Sequence, residues 1–110
     1  MIDTSLKDTI IEKIQSVAPL YRVMLFGSHA RGTADPQSDL DLIVIVDSDK
    51  ILKNFTERAA HHLTISRALR DIERVMPIDL LVYTKPEFEN FIASRSSFSR
   101  QVLSEAVILS

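Results

Sequence analysis

Residues 21–46, YRVMLFGSHARGTADPQSDLDLIVIV, decide how the rest of the chain is read. An apolar run meets a turn at Gly27-Ser28, a small polar loop follows, and Ser38-Asp39-Leu40-Asp41 leads straight into a second apolar run. Their β-forming residues predict strands over 21–26 and 39–46. Alternation along the second strand puts Asp39, Asp41, Ile43 and Ile45 on one face and Leu40, Leu42, Val44 and Val46 on the other. Both faces turn apolar beyond Asp41, which predicts a central strand covered on both sides. Two carboxylates therefore stand at the mouth of a buried strand, opposite a Gly-Ser turn.

Outward from that stretch, the chain alternates helices with strands. Leu6, Ile10, Ile14 and Val17 recur at helical spacing and predict a helix over 5–17, with Ser5 and Asp8 as a weak capping box and Pro19 as its end. Ser28 opens a short helix reaching Arg31, whose first amides offer an anion site, and Gly32 and Pro36 bound the loop behind it. Asp47-Ser48-Asp49 reads as a turn and helix cap. Residues 50–75 are helical in pattern, with one stripe of Leu52, Phe55 and Ala59, another of Ile65, Leu69, Ile72 and Met76, and a bend near residues 62–64. Residues 78–83, IDLLVY, predict a third strand that again starts with a carboxylate, Asp79. Pro86 suits the first turn of a helix continuing over 87–92, and 98–106 predict a last helix. The apolar tail VILS suggests a short edge strand or a partner contact. The fold class is α/β in the broad sense, α+β, with a small mixed sheet flanked by helices.

The chain has 110 residues, a length expected for one domain, 1–110. A net charge of -2 lacks the basic surplus of a general nucleic-acid binder, so no direct nucleic-acid binding is expected. There is no cysteine, so disulfides, thiolate-held zinc and thiol catalysis are excluded together. No signal peptide is read at the N-terminus and no apolar run approaches the ~20 residues of a membrane span, which makes a cytoplasmic location the expectation.

The carboxylates carry the chemistry. Positions i and i+2 on a strand point the same way, about 6.5 Å apart, and a carboxylate on a neighbouring strand lies about 5 Å away. If Asp79 lies beside Asp39 and Asp41, three negative charges share one site. Two unit charges about 5 Å apart repel by about 3 kcal/mol at an effective dielectric near 20. A cation or a proton would relieve that repulsion, and oxygen-only donors suit Mg²⁺ or Mn²⁺ better than zinc. Gly27 lets backbone approach a ligand, Ser28 offers a hydroxyl, and Arg31 can pair with a phosphate. Separately, a DxD pair can be only a solvated strand start, and Asp79 only a turn residue. Together they describe metal-dependent nucleoside-triphosphate chemistry.

Gly27-Ser28, ten residues, then Asp39-Leu40-Asp41 resembles the GS-x10-DxD signature of the DNA polymerase β-like nucleotidyltransferase superfamily. The longer string GSHARGTADPQSDLDL is similar to its minimal nucleotidyltransferase (MNT) branch, and the likeness covers nearly the whole chain. The resemblance implies that Asp39, Asp41 and Asp79 form a catalytic, metal-binding triad. Gly27 and Ser28 would contact the triphosphate, with Arg31 and Ser38 among the nucleotide-binding residues. It also implies an enzyme of the EC 2.7.7 class, a protein adenylyltransferase. Such an enzyme uses ATP with Mg²⁺ (or Mn²⁺) and acts, like MntA-type antitoxins, on a tyrosine of a HEPN ribonuclease toxin. An acceptor brought by another protein fits the short chain, as a homodimer or mixed complex. A non-catalytic antitoxin that works by contact, or transfer to a small molecule, are the alternatives. His29 in the loop can face a phosphate or solvent. His61-His62, Tyr21, Tyr83, Arg95 and Arg100 read as structural or solvated residues.

Overall fold

The structure, a computed structural model, describes residues 2–35 and 38–110. Pro36, expected to bound the polar loop, lies outside the described residues. The strands are β1 (Leu20–Phe26), β2 (Leu40–Val46), β3 (Ile78–Thr84) and β4 (Val107–Ile108). The helices are α1 (Thr4–Gln15), α2 (Gly27–Arg31), α3 (Phe55–Ala68), α4 (Arg70–Glu73), α5 (Lys85–Ala93) and α6 (Ser97–Glu105). The strands form one mixed sheet in the order β3-β2-β1-β4, with β2 antiparallel to β1 and parallel to β3, and β4 antiparallel to β1.

The central position of β2 follows from its composition. Leu42, Ile43 and Val44 are fully buried, and its two faces enter different cores. One core gathers Leu40, Leu42 and Val44 with Val23, Leu25, Leu80 and the apolar stripes of α1 and α3, including Ile10, Ile14, Ile65 and Leu69. The other gathers Ile43, Ile45 and Met24 with Val102 and partly buried Phe26, Leu81, Tyr83, Phe88 and Phe91. In this second layer the Tyr83 and Phe91 rings stack 5.3 Å apart, and Phe98 joins Phe91 to Phe26. The apolar tail supplies β4: Leu109 N–H donates to the Val23 carbonyl, and the Ser110 hydroxyl accepts from Val23 N–H.

Three sequence expectations are corrected. Helix α1 is capped by Asp3, whose carboxylate accepts from Leu6 N–H at 2.7 Å, two residues before the expected cap at Ser5 of the Ser5-Asp8 box. The helix expected from residue 50 starts at Phe55, because Asn54 caps it through Glu57 N–H. Residues 47–54 are instead a connecting segment, pinned where Leu52 N–H donates to the buried Glu87 carboxylate. Leu52 is thus buried without being helical, and Phe55, expected in a stripe, is 83% exposed. The helical run breaks at Leu69 (φ -96°, ψ 5°) rather than near residues 62–64. No helix among the described residues is long and apolar enough to cross a membrane.

Candidate active site

The mixed sheet brings three segments to one end. Because β1 and β2 are antiparallel, the end of β1 adjoins the start of β2; because β2 and β3 are parallel, their starts lie side by side. Phe26 pairs with Asp41, and Asp41 pairs with Asp79, so one rung of the sheet leads from the Gly-Ser turn through two carboxylates. Asp39 stands two positions before Asp41, just ahead of the strand. Asp39 and Asp79 are exposed and Asp41 is half-buried.

Gly27 has φ +72°, a left-handed conformation that side chains disfavour, and a Cβ there would collide with the Asp41 carboxylate, whose Cγ would lie 3.0 Å away. The turn is thus built around that carboxylate. Helix α2 leaves it directly and stops after one turn at Gly32 (φ +75°), where the amides of Gly32 and Thr33 both donate to the Ser28 carbonyl.

The electrostatics report how close the acids are. Desolvation pushes the Asp41 carboxyl above its usual range, and repulsion by Asp79 and then Asp39 pushes the same way; His29 and Arg31 oppose it. Among the described residues no group of three or more His, Cys, Asp or Glu side chains converges tightly enough to hold a metal ion. The donor set still suits a divalent cation. All three groups are carboxylates, and the negative field raising Asp41 is one that such an ion would relieve.

The remaining expected residues divide. Gly27 and Ser28 border the carboxylates. Ser38 spends its hydroxyl on Asp35, accepting from its N–H at 3.0 Å and donating to its Oδ1 at 3.3 Å. Arg31 reaches Glu105 of α6, Nη1 to Oε2 at 3.2 Å. His29, ambiguous in sequence, is only 9% exposed. Its Nε2 lies 3.3 Å from the Ser38 carbonyl oxygen, which accepts when that nitrogen carries the proton. It therefore ties α2 to the residue preceding Asp39. Neither this tie nor Glu105 was found by sequence reasoning; the only signal for Glu105 was a helix running into an apolar tail. A surface cavity of about 590 Å³, lined by Lys50, Leu52, Lys53, Glu57 and His61, lies beyond the other end of β2.

Comparison with known proteins agrees with this architecture. The fold resembles a toxin–antitoxin crystal structure with AMP-PNP, at 23% identity and TM-score 0.62, covering 94% of this chain and 72% of that one. It also resembles a candidate nucleotidyltransferase from Sulfolobus solfataricus, at 23% identity and TM-score 0.58, covering 94% and 74%. A mutant of the MntA–HpeT toxin–antitoxin matches at 19% identity and TM-score 0.59, covering 94% and 71%. A sequence search of curated proteins found no match. The nucleotidyltransferase-domain family profile matches residues 7–109, nearly the full length, and the chain belongs to that family.

Proposed function

We propose that this nucleotidyltransferase moves AMP from ATP to a protein acceptor, a tyrosine of a cognate HEPN ribonuclease toxin, and thereby acts as its antitoxin in the cytoplasm. The observation that carries the reading is the Asp41–Asp79 rung set against the left-handed Gly27. The toxin–antitoxin neighbour with AMP-PNP supports it. Asp39, Asp41 and Asp79 would hold Mg²⁺ (or Mn²⁺), which when bound supplies Lewis-acid polarisation of phosphate oxygens. Gly27 makes room for the Asp41 carboxylate beside the turn, while Ser28 and Arg31 offer the triphosphate a hydroxyl and a cation. Ser38, held by Asp35 and His29, fixes the approach of Asp39. The acceptor oxygen bonds to the α-phosphorus as the bond to the bridging oxygen breaks. Pyrophosphate leaves, and the hydroxyl proton passes to solvent.

An intact-mass measurement tests this. The HEPN partner is incubated with this protein, ATP and Mg²⁺, beside the Asp39→Ala, Asp41→Ala double variant. A gain of one or more AMP units, absent with the variant, is expected. A neutralised partner of unchanged mass in a stable complex would overturn the transfer and leave an antitoxin that works by contact.

A further inference from the structure

We infer that Glu105 is a positioning residue for the nucleotide: it holds one end of the Arg31 guanidinium and presents the remaining donors toward the phosphates. The inference rests on the nucleotide reading above and adds a residue from the far end of the chain to that site.

The two residues are far apart in sequence, yet one pair of strands holds both. Arg31 ends α2, which leaves β1 at Gly27. Glu105 ends α6, and β4 follows almost at once, pairing with β1 through Leu25–Val107 and Met24–Ile108. Helix α6 is itself seated by buried Ser99 and Val102. The meeting of Arg31 Nη1 with Glu105 Oε2 at 3.2 Å is therefore set by the sheet. Gln101, one helical turn earlier, donates from Nε2 to the same Oε2 at 3.3 Å and gives the carboxylate a second hold.

The contact is of limited use to the fold. The Arg31 and Glu105 side chains are 41% and 32% exposed, and ion pairs this open contribute little stability. It is better suited to orientation. A guanidinium carries five donors in a rigid plane, and Glu105 engages one nitrogen of the fork, leaving the others for phosphate oxygens. Arg31 also acts on the Asp41 carboxyl, so the cation lies within the field of the carboxylates while tethered to Glu105. An Arg already ordered loses less freedom when a ligand arrives.

The test is calorimetric titration of ATP with Mg²⁺ into the wild type, Glu105→Gln, Arg31→Ala and the double variant, with thermal melts alongside. Glu105→Gln is expected to weaken ATP binding about fivefold, the loss from leaving one long side chain to be ordered on binding, with an unchanged melting temperature. In the Arg31→Ala background the same change is expected to add nothing, because its effect runs through Arg31. Unchanged or tighter binding by Glu105→Gln overturns the inference, as does an equal loss in both backgrounds. A wild type that binds no ATP overturns the nucleotide reading beneath it.

Discussion

At Gly27 the backbone and the Asp41 carboxylate compete for the same volume. Gly32 offers a natural comparison: its φ is equally positive, but a Cβ there would meet nothing within 4 Å. Gly32→Ala should therefore cost only the left-handed penalty, about 1 kcal/mol. Gly27→Ala should cost that and more, because Asp41 must also move; urea unfolding of the two variants compares them directly. Asp41 itself should show its environment in the pH dependence of stability. Its folded-state pKa lies above the ordinary 3.8, so the folded state holds the proton more tightly than the unfolded chain. Stability from this group is fully present below 3.8 and is lost as pH rises through the folded value. Asp41→Asn should accordingly melt no lower than wild type at neutral pH, with the gap closing as pH falls below 3.8. Melts across that range in the absence of divalent ions check it. Asp41 was legible because strand alternation fixes which way it faces, and Gly27 and Asp39 because their spacing brackets the loop that leads to it. His29 was not, since a lone histidine in a polar loop acquires a direction only once the sheet places Ser38 opposite it.

Among the elements, strands were easier to read than helices. Each main strand was placed within a residue because apolar runs bounded by Gly, Pro or Asp leave little choice, and even the tail strand was foreseen as an edge. The segment before α3 was misread because Leu52 and Phe55 share helical spacing, although one is buried from a loop and the other faces solvent. What holds that loop is a carboxylate from a distant helix. Glu87 accepts from Thr84 N–H at 3.0 Å, completing the α5 capping box, and from Leu52 N–H at 3.2 Å, with Arg58 3.4 Å away. Glu87 is only 7% exposed, so Glu87→Ala strands two amides and should lower unfolding stability by about 2 kcal/mol in denaturant titration. Gly27, Asp39 and Asp41 lie at the other end of β2, so the variant should still bind ATP while folded.

For the molecule as a whole, ligand and fold are linked. Binding only to the folded state stabilises it by about 2.7 kcal/mol at a hundredfold excess over the dissociation constant. In a chain of this size, ATP with Mg²⁺ should then raise the melting temperature by roughly 10 °C or more. Neither the Asp39→Ala, Asp41→Ala double variant nor ATP with excess chelator should show the rise in thermal melts. The overall α+β plan was legible because the apolar runs alternate cleanly with helical stripes. The convergence of α6 on α2 was not, because it depends on β4 docking against β1, a pairing with no signature in the tail beyond its apolar character.

The parallel pairing of β2 with β3 also sets a time order. That pair is joined through α3 and α4, and a pairing across so long a connection is slow to form. The repulsion between Asp41 and Asp79 is therefore met only once those two strands pair. A strain met after the folding barrier leaves the rate of folding almost untouched and hastens unfolding instead. Where that pairing follows the folding barrier, the site shortens the lifetime of the native molecule rather than delaying its birth. Under the proposed function, a bound nucleotide and cation would restore that lifetime, making the persistence of the folded protein a gauge of its nucleotide supply.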